Sequence, residues 1–377
     1  MQFLRGLSRR QQVAGAAAAV VVLGVAIWLG LGLGSRPEPQ PSPSESPSPT
    51  ASPSPSLVPT PSATPELATC PLSGLPLEDP SIAERVAIAV QVENHPLARP
   101  ARNLSNADMV VEAPVEGDVT RFSAIFLCRP TDGLTGPIRS ARYYEVDLWQ
   151  DLGVLPVGYG ASFGARSKFT AAGMPYVNGI TGQWPWFQRA GGNAAPHNLY
   201  GDLDSLRAAI GQGGAIDRLA RLVHTLRPPF TFEVGVALPA GRPVSAFEIR
   251  TNSYWRFGWT FNAAEGGWTR QDAGKTVVDG VNNRPLSATS VVVQRVEEEV
   301  VFGDPDPGGN SRRLQHLVGK GDGTLYSQGK AIALHWSRPT AADGTEWTYA
   351  DSGEPVVLPP GQVWWEIIPI RATLTES

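Results

Sequence analysis

The chain of 377 residues has few of the side chains that bind metals. It contains two cysteines and five scattered histidines, and none of them is spaced as paired metal ligands. The balance of 31 basic against 35 acidic side chains leaves no excess of positive charge for binding nucleic acid. The sequence also has neither a G-x-x-x-x-G-K-[ST] phosphate loop nor a G-x-G-x-x-G dinucleotide motif. We therefore expect no metal, no cofactor and no nucleic-acid partner.

Only one long hydrophobic run is present, at residues 14–33. These twenty uncharged residues would form a helix of about 30 Å, which is enough to cross the hydrocarbon core of a bilayer. Arg5, Arg9 and Arg10 precede the run and only Arg36 closely follows it, which favours a cytoplasmic amino terminus. We predict a cytoplasmic tail at 1–13, a single-pass anchor at 14–33 and an extracytoplasmic body. A cleaved signal peptide, whose apolar region is usually shorter, is the alternative.

Proline and serine dominate the next segment, residues 35–69. It holds eleven prolines and nine serines with almost no apolar side chain, so it cannot bury a core. In polyproline geometry it would reach on the order of 100 Å. This composition predicts a disordered stalk that holds the folded part away from the membrane. Cys70 and Cys128 follow on the oxidising side, where an even cysteine count predicts one disulfide.

The remaining chain divides by composition into two segments. Residues 70–228 alternate strand-like and helical patterns and predict an α/β sandwich. Ser140 is the expected N-cap of a helix that stops at Gly153. Strands are predicted at 86–92, 109–113, 121–128 and 154–159, and further helices at 204–210 and 216–226.

Residues 229–377 contain short aromatic and β-branched runs separated by turn residues, which predicts a mostly antiparallel β domain. Seven of the eleven tryptophans lie in this segment. Tryptophans in alternating strands favour core packing over stacking on a carbohydrate. Strands are expected at 253–261, 290–296, 330–336 and 363–370. The overall fold class is therefore α+β.

Several ordered motifs give the chain a resemblance to a known family. They are CPLSGLPL (70–77), IAVQVENHPLARPARNLSNADMVVEAPVEGDVTRFSAIF (88–126), GPIRSAR (136–142), APHNLYG (195–201), GDGTLYSQGKAIALHWSRP (321–339) and DSGEPVVLPPGQVWWEIIP (351–369). Over about residues 70–375 the chain resembles the YerB-like envelope lipoproteins, a family of unknown function. The resemblance implies an exported, membrane-tethered protein without an assigned activity. The chain departs from the family in its helix and stalk, which replace a lipid anchor, and in Cys70, where a polar residue is expected.

Polar and charged residues crowd one stretch of the first segment and the loops that follow it, and they predict an anion pocket. Guanidinium groups match phosphate or carboxylate, and the first turn of a helix adds unpaired N–H donors. The candidate ligand-binding residues are Asn94, His95, Arg121, Arg139, Arg142, Arg166, Arg189, His197 and Asn198. Their expected acidic partners are Asp108, Glu112, Glu116 and Asp118. The alternative is that these charges pair with each other and only brace the domain.

Two loop histidines, His95 and His197, are the residues best placed for acid–base chemistry. Each follows or precedes a proline in a loop, where an imidazole can transfer protons near neutral pH. Each can equally hold its loop by hydrogen bonding to the backbone. The other three histidines lack such a context and are expected to be structural.

Two functions are consistent with these patterns. The first is a binding or scaffolding module for an anionic or peptide partner in the cell wall, such as a wall polymer or an envelope protein. The alternative is an enzyme that acts on a phosphate-bearing cell-wall glycopolymer or a lipid-linked precursor. Convergence of the arginines on an open pocket, with Asp108 or Asp118 near a possible metal position, would favour the enzyme. Capping of each arginine by a buried carboxylate would favour binding or scaffolding. The oligomeric state is not predicted.

Overall fold

The computed structural model describes residues 67–182, 184–252 and 255–377. The predicted tail, the membrane span and all but the last three residues of the stalk lie outside these ranges. Within them, no helix is both long and apolar enough to cross a bilayer. The described residues belong to one compact unit.

Seven strands and five short helices form the first segment. The strands are β1 Ile88–Glu93, β2 Met109–Pro114, β3 Thr120–Phe126, β4 Leu155–Gly158, β5 Val177–Asn178, β6 Phe187–Arg189 and β7 Leu199–Gly201. The helices are α1 Tyr143–Leu152, α2 Phe163–Ala172, α3 Gly179–Gly182, α4 Leu203–Ala208 and α5 Ala215–Ala220. Single 3-10 turns lie at Pro80–Glu84, Pro96–Ala98, Leu104–Asn106 and Glu116–Asp118. The predicted strands and helices are therefore present, with shifted ends.

Helix α1 begins later than the sequence predicts. Ser140 is not its N-cap, because the helix starts at Tyr143 and Arg142 occupies the cap position. Backbone hydrogen bonds tie the preceding residues to other segments: Arg139 N–H donates to Gln91 at 2.8 Å and Ala141 N–H donates to Gly160 at 2.9 Å. These bonds hold the loop extended. The predicted stop is correct, since Gly153 follows the helix with a φ of 69° that favours glycine.

In the described residues of the second segment, strands cover about half of the positions. Its strands are β8 Thr231–Phe232, β9 Arg242–Pro243, β10 Ala246–Arg250, β11 Arg256–Asn262, β12 Gly267–Asp272, β13 Lys275–Thr276, β14 Ser287–Ala288, β15 Ser290–Val296, β16 Glu298–Val301, β17 Arg312–Gln315, β18 Gly319–Ser327, β19 Lys330–Arg338, β20 Glu346–Tyr349, β21 Val357–Leu358, β22 Val363–Pro369 and β23 Thr373–Glu376. Strands β10 to β14 and β23 form a six-stranded sheet, and β16 pairs with β17 as a separate hairpin.

Strands of both segments join in one eleven-stranded sheet. Its order is β20-β19-β18-β15-β22-β2-β3-β1-β4-β5, and β9 pairs with β19. The sheet is mixed: β3 is antiparallel to β1 and β2, whereas β4 is parallel to β1, and β22 is parallel to both β2 and β15. The protein is thus mostly β with few helices. The division at residue 228 stays a prediction, and hydrogen bonds between β2 and β22 cross it.

Hydrophobic residues cover both faces of the large sheet. Along β1, Ala89 belongs to the cluster that includes Trp149 of α1, while Val90 belongs to the cluster that includes Trp259 of the six-stranded sheet. This alternation follows the two-residue repeat of a strand. Trp259, Trp268, Trp364 and Trp365 are among the largest fully buried side chains, which confirms core packing as their role.

Cys70 and Cys128 form a disulfide with their Cα atoms 6.0 Å apart. The bond joins the start of the described chain to the residues that follow β3. Asp108 lies beside it and accepts the backbone N–H groups of Leu127 and Cys128 at 2.7 and 2.8 Å. Burial raises the pKa of the Asp108 carboxyl despite these bonds. Asp108 therefore stabilises the chain around the disulfide and lies away from the arginines of the predicted anion pocket.

Candidate functional site

The adjoining ends of β1 and β3 place charged side chains beneath helix α1. Glu93 is paired with Arg121 in the antiparallel register, and Gln91 is paired with Ser123. Directly paired residues point to the same face of a sheet, so all four face α1. The helix covers them with polar contacts, since its Trp149 donates to the Ser123 hydroxyl at 2.6 Å. A polar layer is thus built into an otherwise apolar contact.

Around this layer lies a group of charges that we call the arginine cluster. It consists of the guanidinium groups of Arg121, Arg139, Arg142, Arg189 and Arg312 and the carboxyl groups of Glu93, Glu116 and Glu145. The cluster has five cationic side chains and three acidic ones. Asp304, whose carbonyl accepts a hydrogen bond from Arg312 Nε at 3.2 Å, adds a fourth carboxyl group nearby, which leaves a surplus of at least one positive charge. Such a surplus attracts anions, and burial strengthens the attraction because it reduces screening by water.

Arg142 and Arg312 converge on one buried carboxylate, that of Glu116. Arg142 donates from Nε at 2.7 Å and also from Nη2, and Arg312 donates from Nη1. Although burial opposes ionisation, Arg142 and the neighbouring guanidinium groups lower the pKa of Glu116 to about 2. Because Arg312 lies in β17, this ion-pair network holds the second segment against the first.

Glu145 occupies the centre of the cluster and is fully buried. One carboxyl oxygen accepts the Arg142 backbone N–H at 2.5 Å, and the other contacts the side-chain amide of Gln91. Burial raises its pKa to about 7, although Arg121 and Arg142 oppose this rise. The surroundings therefore shift the pKa values of Glu116 and Glu145, two carboxyl groups of one cluster, in opposite directions.

Arg121 is the most deeply placed guanidinium with hydrogen-bonding capacity to spare. The residue is 4% exposed, and Nη1 donates to the Ser140 carbonyl at 2.9 Å. In the described part of the chain, its Nε has no hydrogen-bond partner. Burial and the positive charge of Arg142 lower its pKa to about 10. A buried guanidinium that lacks a full set of acceptors is costly and fits a role in attracting an anion.

Two stacked imidazoles lie at the more open side of the cluster. The rings of His95 and His197 have centroids 4.8 Å apart and an interplanar angle of 18°. Glu93 Oε1 lies 3.0 Å from His197 Nδ1 and 3.5 Å from Arg139 Nε. The sequence identified both histidines as candidates for acid–base chemistry but did not identify Glu93. The signal for it was its position at the carboxyl end of β1, directly before Asn94 and His95.

The remaining predicted cations have different surroundings. Arg189 in β6 is exposed and donates from Nη1 to Asn198 Oδ1 at 2.7 Å, and Asn198 in turn donates to the Asn193 carbonyl. Arg166 is exposed on α2, where its guanidinium lies over the ring of Phe163. Arg189 and Asn198 thus adjoin the His197 loop, whereas no hydrogen bond or ion pair joins Arg166 to the arginine cluster in the described ranges.

Two of the predicted site residues point to the opposite face of the sheet. Asn94 donates to Glu112 at 3.2 Å, and Glu112 is held by Arg270 of β12 through both carboxylate oxygens. Glu366 of β22 is paired with Glu112 in the parallel register. Burial and the charge of Glu112 raise the pKa of Glu366 well above its usual range. We call Glu112 and Glu366 the interface carboxyl pair.

Asp118 is the fourth predicted acidic partner. Its side chain is half-exposed and lies 3.9 Å from a guanidinium nitrogen of Arg313. It takes part in a surface ion pair, which contributes little to stability. Of the four predicted acids, only Glu116 therefore belongs to the arginine cluster.

A serine motif also lies near the cluster. Ser162 is the central residue of GASFG (160–164), a G-x-S-x-G sequence between β4 and α2. Its backbone is extended, with φ −61° and ψ 161°, and its hydroxyl accepts the Ala165 N–H as the N-cap of α2. A nucleophilic serine in such a motif sits instead on a strained turn with its hydroxyl exposed. Ser162 therefore serves as a helix cap.

Fold and site together define a mostly β protein in which two sequence segments share a mixed sheet and enclose a buried, arginine-rich site. The chain matches two family models, "Protein of unknown function (DUF3048) N-terminal domain" over residues 72–215 and "Protein of unknown function (DUF3048) C-terminal domain" over 246–365. The chain belongs to this family, which confirms the resemblance drawn from its motifs.

Two comparisons with YerB of Bacillus subtilis support the assignment. The chain is 30% identical to that protein, which is named as a candidate lipoprotein, over 301 residues covering 79% of this chain and 86% of YerB. The crystal structure of YerB matches with a TM-score of 0.67 and 28% identity, and the match covers 81% of this chain and 99% of that one. Both matches span nearly the whole folded part, so the two segments recur together.

Proposed function

We propose that this protein is a membrane-tethered, extracytoplasmic binding module whose arginine cluster binds an anionic group of a partner in the cell wall. The observation that carries the proposal is the surplus of positive charge, with Arg121 buried and only partly hydrogen-bonded inside it. A phosphate or carboxylate group of the partner would supply the missing negative charge and acceptors.

Buried carboxylates cap two of the predicted arginines, which supports a binding or scaffolding role. Arg142 is capped by Glu116 and Arg139 by Glu93, both of which are buried. Asp108 lies beside the disulfide and Asp118 lies at the surface, so neither is positioned among the arginines. Arg139 and Arg189 remain the accessible cations, and they border the loop that carries His197.

Titration of the full-length chain in detergent micelles with inorganic phosphate tests the proposal. Isothermal calorimetry should detect binding, and Arg139→Ala and Arg189→Ala should each weaken it about 10- to 150-fold, since a charge-assisted hydrogen bond contributes roughly 1.5 to 3 kcal/mol. Arg166→Ala is the control, because it removes an arginine that is exposed like Arg189 but lies outside the cluster. Equal weakening by all three variants would show non-specific attraction and refute the site.

The proposed location rests on the apolar run at 14–33 and on the kinship with a candidate lipoprotein. We propose that this run anchors the protein and that the folded part faces the wall. Protease added to intact cells should then degrade the folded part and spare the first 34 residues. Full protection of the folded part in intact cells, with digestion only after lysis, would reverse the topology.

A further inference from the structure

The environment of His197 fixes one tautomer of its imidazole. Its Nδ1 lies 3.0 Å from Glu93 Oε1, and the Glu93 side chain is only 4% exposed in its place on β1. A carboxylate accepts hydrogen bonds and does not donate them, so Nδ1 carries the proton and the lone pair of His197 resides on Nε2. The carboxylate also stabilises the imidazolium that forms when Nε2 accepts a second proton.

His95 fixes the orientation of the same ring. It stacks against His197, and its own Nδ1 accepts the Leu97 backbone N–H at 3.2 Å, which fixes its place in the loop. Burial and the neighbouring His197 lower the pKa of His95, so this ring is neutral at pH 7. His197 is thus held by a hydrogen bond to the Glu93 carboxylate and by stacking on the neutral ring of His95.

Guanidinium groups flank His197 along its own loop. Arg139 donates from Nη1 to the carbonyl of Pro196, the residue before His197, and Arg189 donates to the side chain of Asn198, the residue after it. Both guanidinium groups therefore contact the same three-residue stretch of the loop, one on each side of His197. An anion held by Arg139 and Arg189 therefore lies beside the imidazole.

We propose that His197, held by Glu93, is the general base for hydrolysis of a phosphate ester bound between Arg139 and Arg189. This inference rests on the proposed anion site and adds a reaction to it. His197 Nε2 takes a proton from water, the water oxygen forms a bond to phosphorus, and the ester P–O bond breaks. The departing alkoxide takes the proton back from Nε2, so the products are an alcohol and a phosphate with one ester bond fewer. The two guanidinium groups stabilise the charge on the phosphoryl oxygens.

The test uses the full-length chain in micelles with two probes, p-nitrophenyl phosphate and bis(p-nitrophenyl) phosphate, and follows release of p-nitrophenolate by absorbance. The parent should hydrolyse at least one probe above background. His197→Ala and His197→Gln should lose about 100-fold or more in kcat, the usual contribution of a general base. Added imidazole should restore part of the His197→Ala rate, which a purely structural role would not predict. Glu93→Gln should lower kcat and shift the acidic limb of the pH profile.

The matched control is His335→Ala. His335 has the same kind of partner, with Nδ1 3.1 Å from Asp322 Oδ1, but lies exposed on β19 away from the arginine cluster. Its removal should leave the rate unchanged, and thermal melts should show every variant folded. If phosphate binds but the parent cleaves neither probe, or if His197→Ala matches the parent, the catalytic inference is wrong and the binding function stands. If phosphate does not bind, both proposals fail.

Discussion

The opposite pKa shifts of Glu145 and Glu116 predict the shape of the stability profile with pH. Glu145 has a pKa of about 7 in the fold, above the value of an exposed glutamate. As pH rises from about 4.5 to 7, the unfolded chain loses its proton at this site before the folded chain does. The free energy of unfolding therefore falls across this window, by about 3 kcal/mol in total.

Glu116 acts in the reverse direction at lower pH. Its folded pKa is about 2, below that of the unfolded chain. As pH falls from about 4.5 to 2, the unfolded chain takes up a proton first, and about 3 kcal/mol of stability is lost. The two groups together produce a maximum of their combined contribution near pH 4.5.

Urea unfolding followed by tryptophan fluorescence at pH 3, 4.5 and 7.5 measures these contributions. The free energy of unfolding of Glu145→Gln, relative to that of the parent, should rise by about 3 kcal/mol from pH 4.5 to pH 7.5, because the variant lacks the carboxyl group whose ionisation weakens the fold in this range. Glu116→Gln should show no such gain and should instead flatten the profile between pH 3 and 4.5. A difference between Glu145→Gln and the parent that is constant from pH 4.5 to 7.5 would refute the assigned shift.

Three further perturbations probe the fold around the site. Replacing Cys70 and Cys128 together by serine should lower the free energy of unfolding by about 4 kcal/mol, as expected for a crosslink between residues 58 apart in sequence. A decrease of less than about 1 kcal/mol in urea melts would contradict this prediction. Glu366→Gln should raise the melting temperature relative to the parent, and the difference should grow as pH increases above about 4.5. The reason is that the buried Glu366 carboxyl has a raised pKa and resists ionisation. A difference that does not depend on pH would contradict this prediction. Arg142→Ala should destabilise the fold by about 3 to 5 kcal/mol through loss of the Glu116 ion pair, measured by urea unfolding, and a near-neutral effect would show that Arg312 alone suffices.

Local sequence patterns were sufficient for most secondary structure. Strand β15 has the predicted bounds, and the others shift by a few residues, because apolar alternation and turn residues are properties of short windows. The start of α1 was mispredicted for a non-local reason. Ser140 is a good N-cap by composition, yet the backbone of its neighbours bonds to β1 and to residue 160, which no short window records.

The site residues were also predictable where local sequence sufficed and unpredictable where contacts distant in sequence decided. The sequence identified the histidines and arginines by residue type, and proximity in the chain grouped them. It could not tell which face of the sheet each residue occupies, so Asn94 and Glu112 were assigned to the pocket although they lie on the face that carries Arg270. Register and strand order decide that assignment, and both depend on pairings as distant in sequence as that between β2 and β22.

Two consecutive residues, the last residue of β1 and the one that follows it, connect the two polar regions of the protein. Glu93 holds His197 on the α1 face, and Asn94 bonds on the other face to Glu112, which Arg270 of the second segment grips. The same segment reaches the α1 face through Arg312 and Glu116. Both sides of the strand that carries the site are therefore fixed by residues after position 228. The arginine cluster thus requires both segments, in agreement with the sheet that they build jointly.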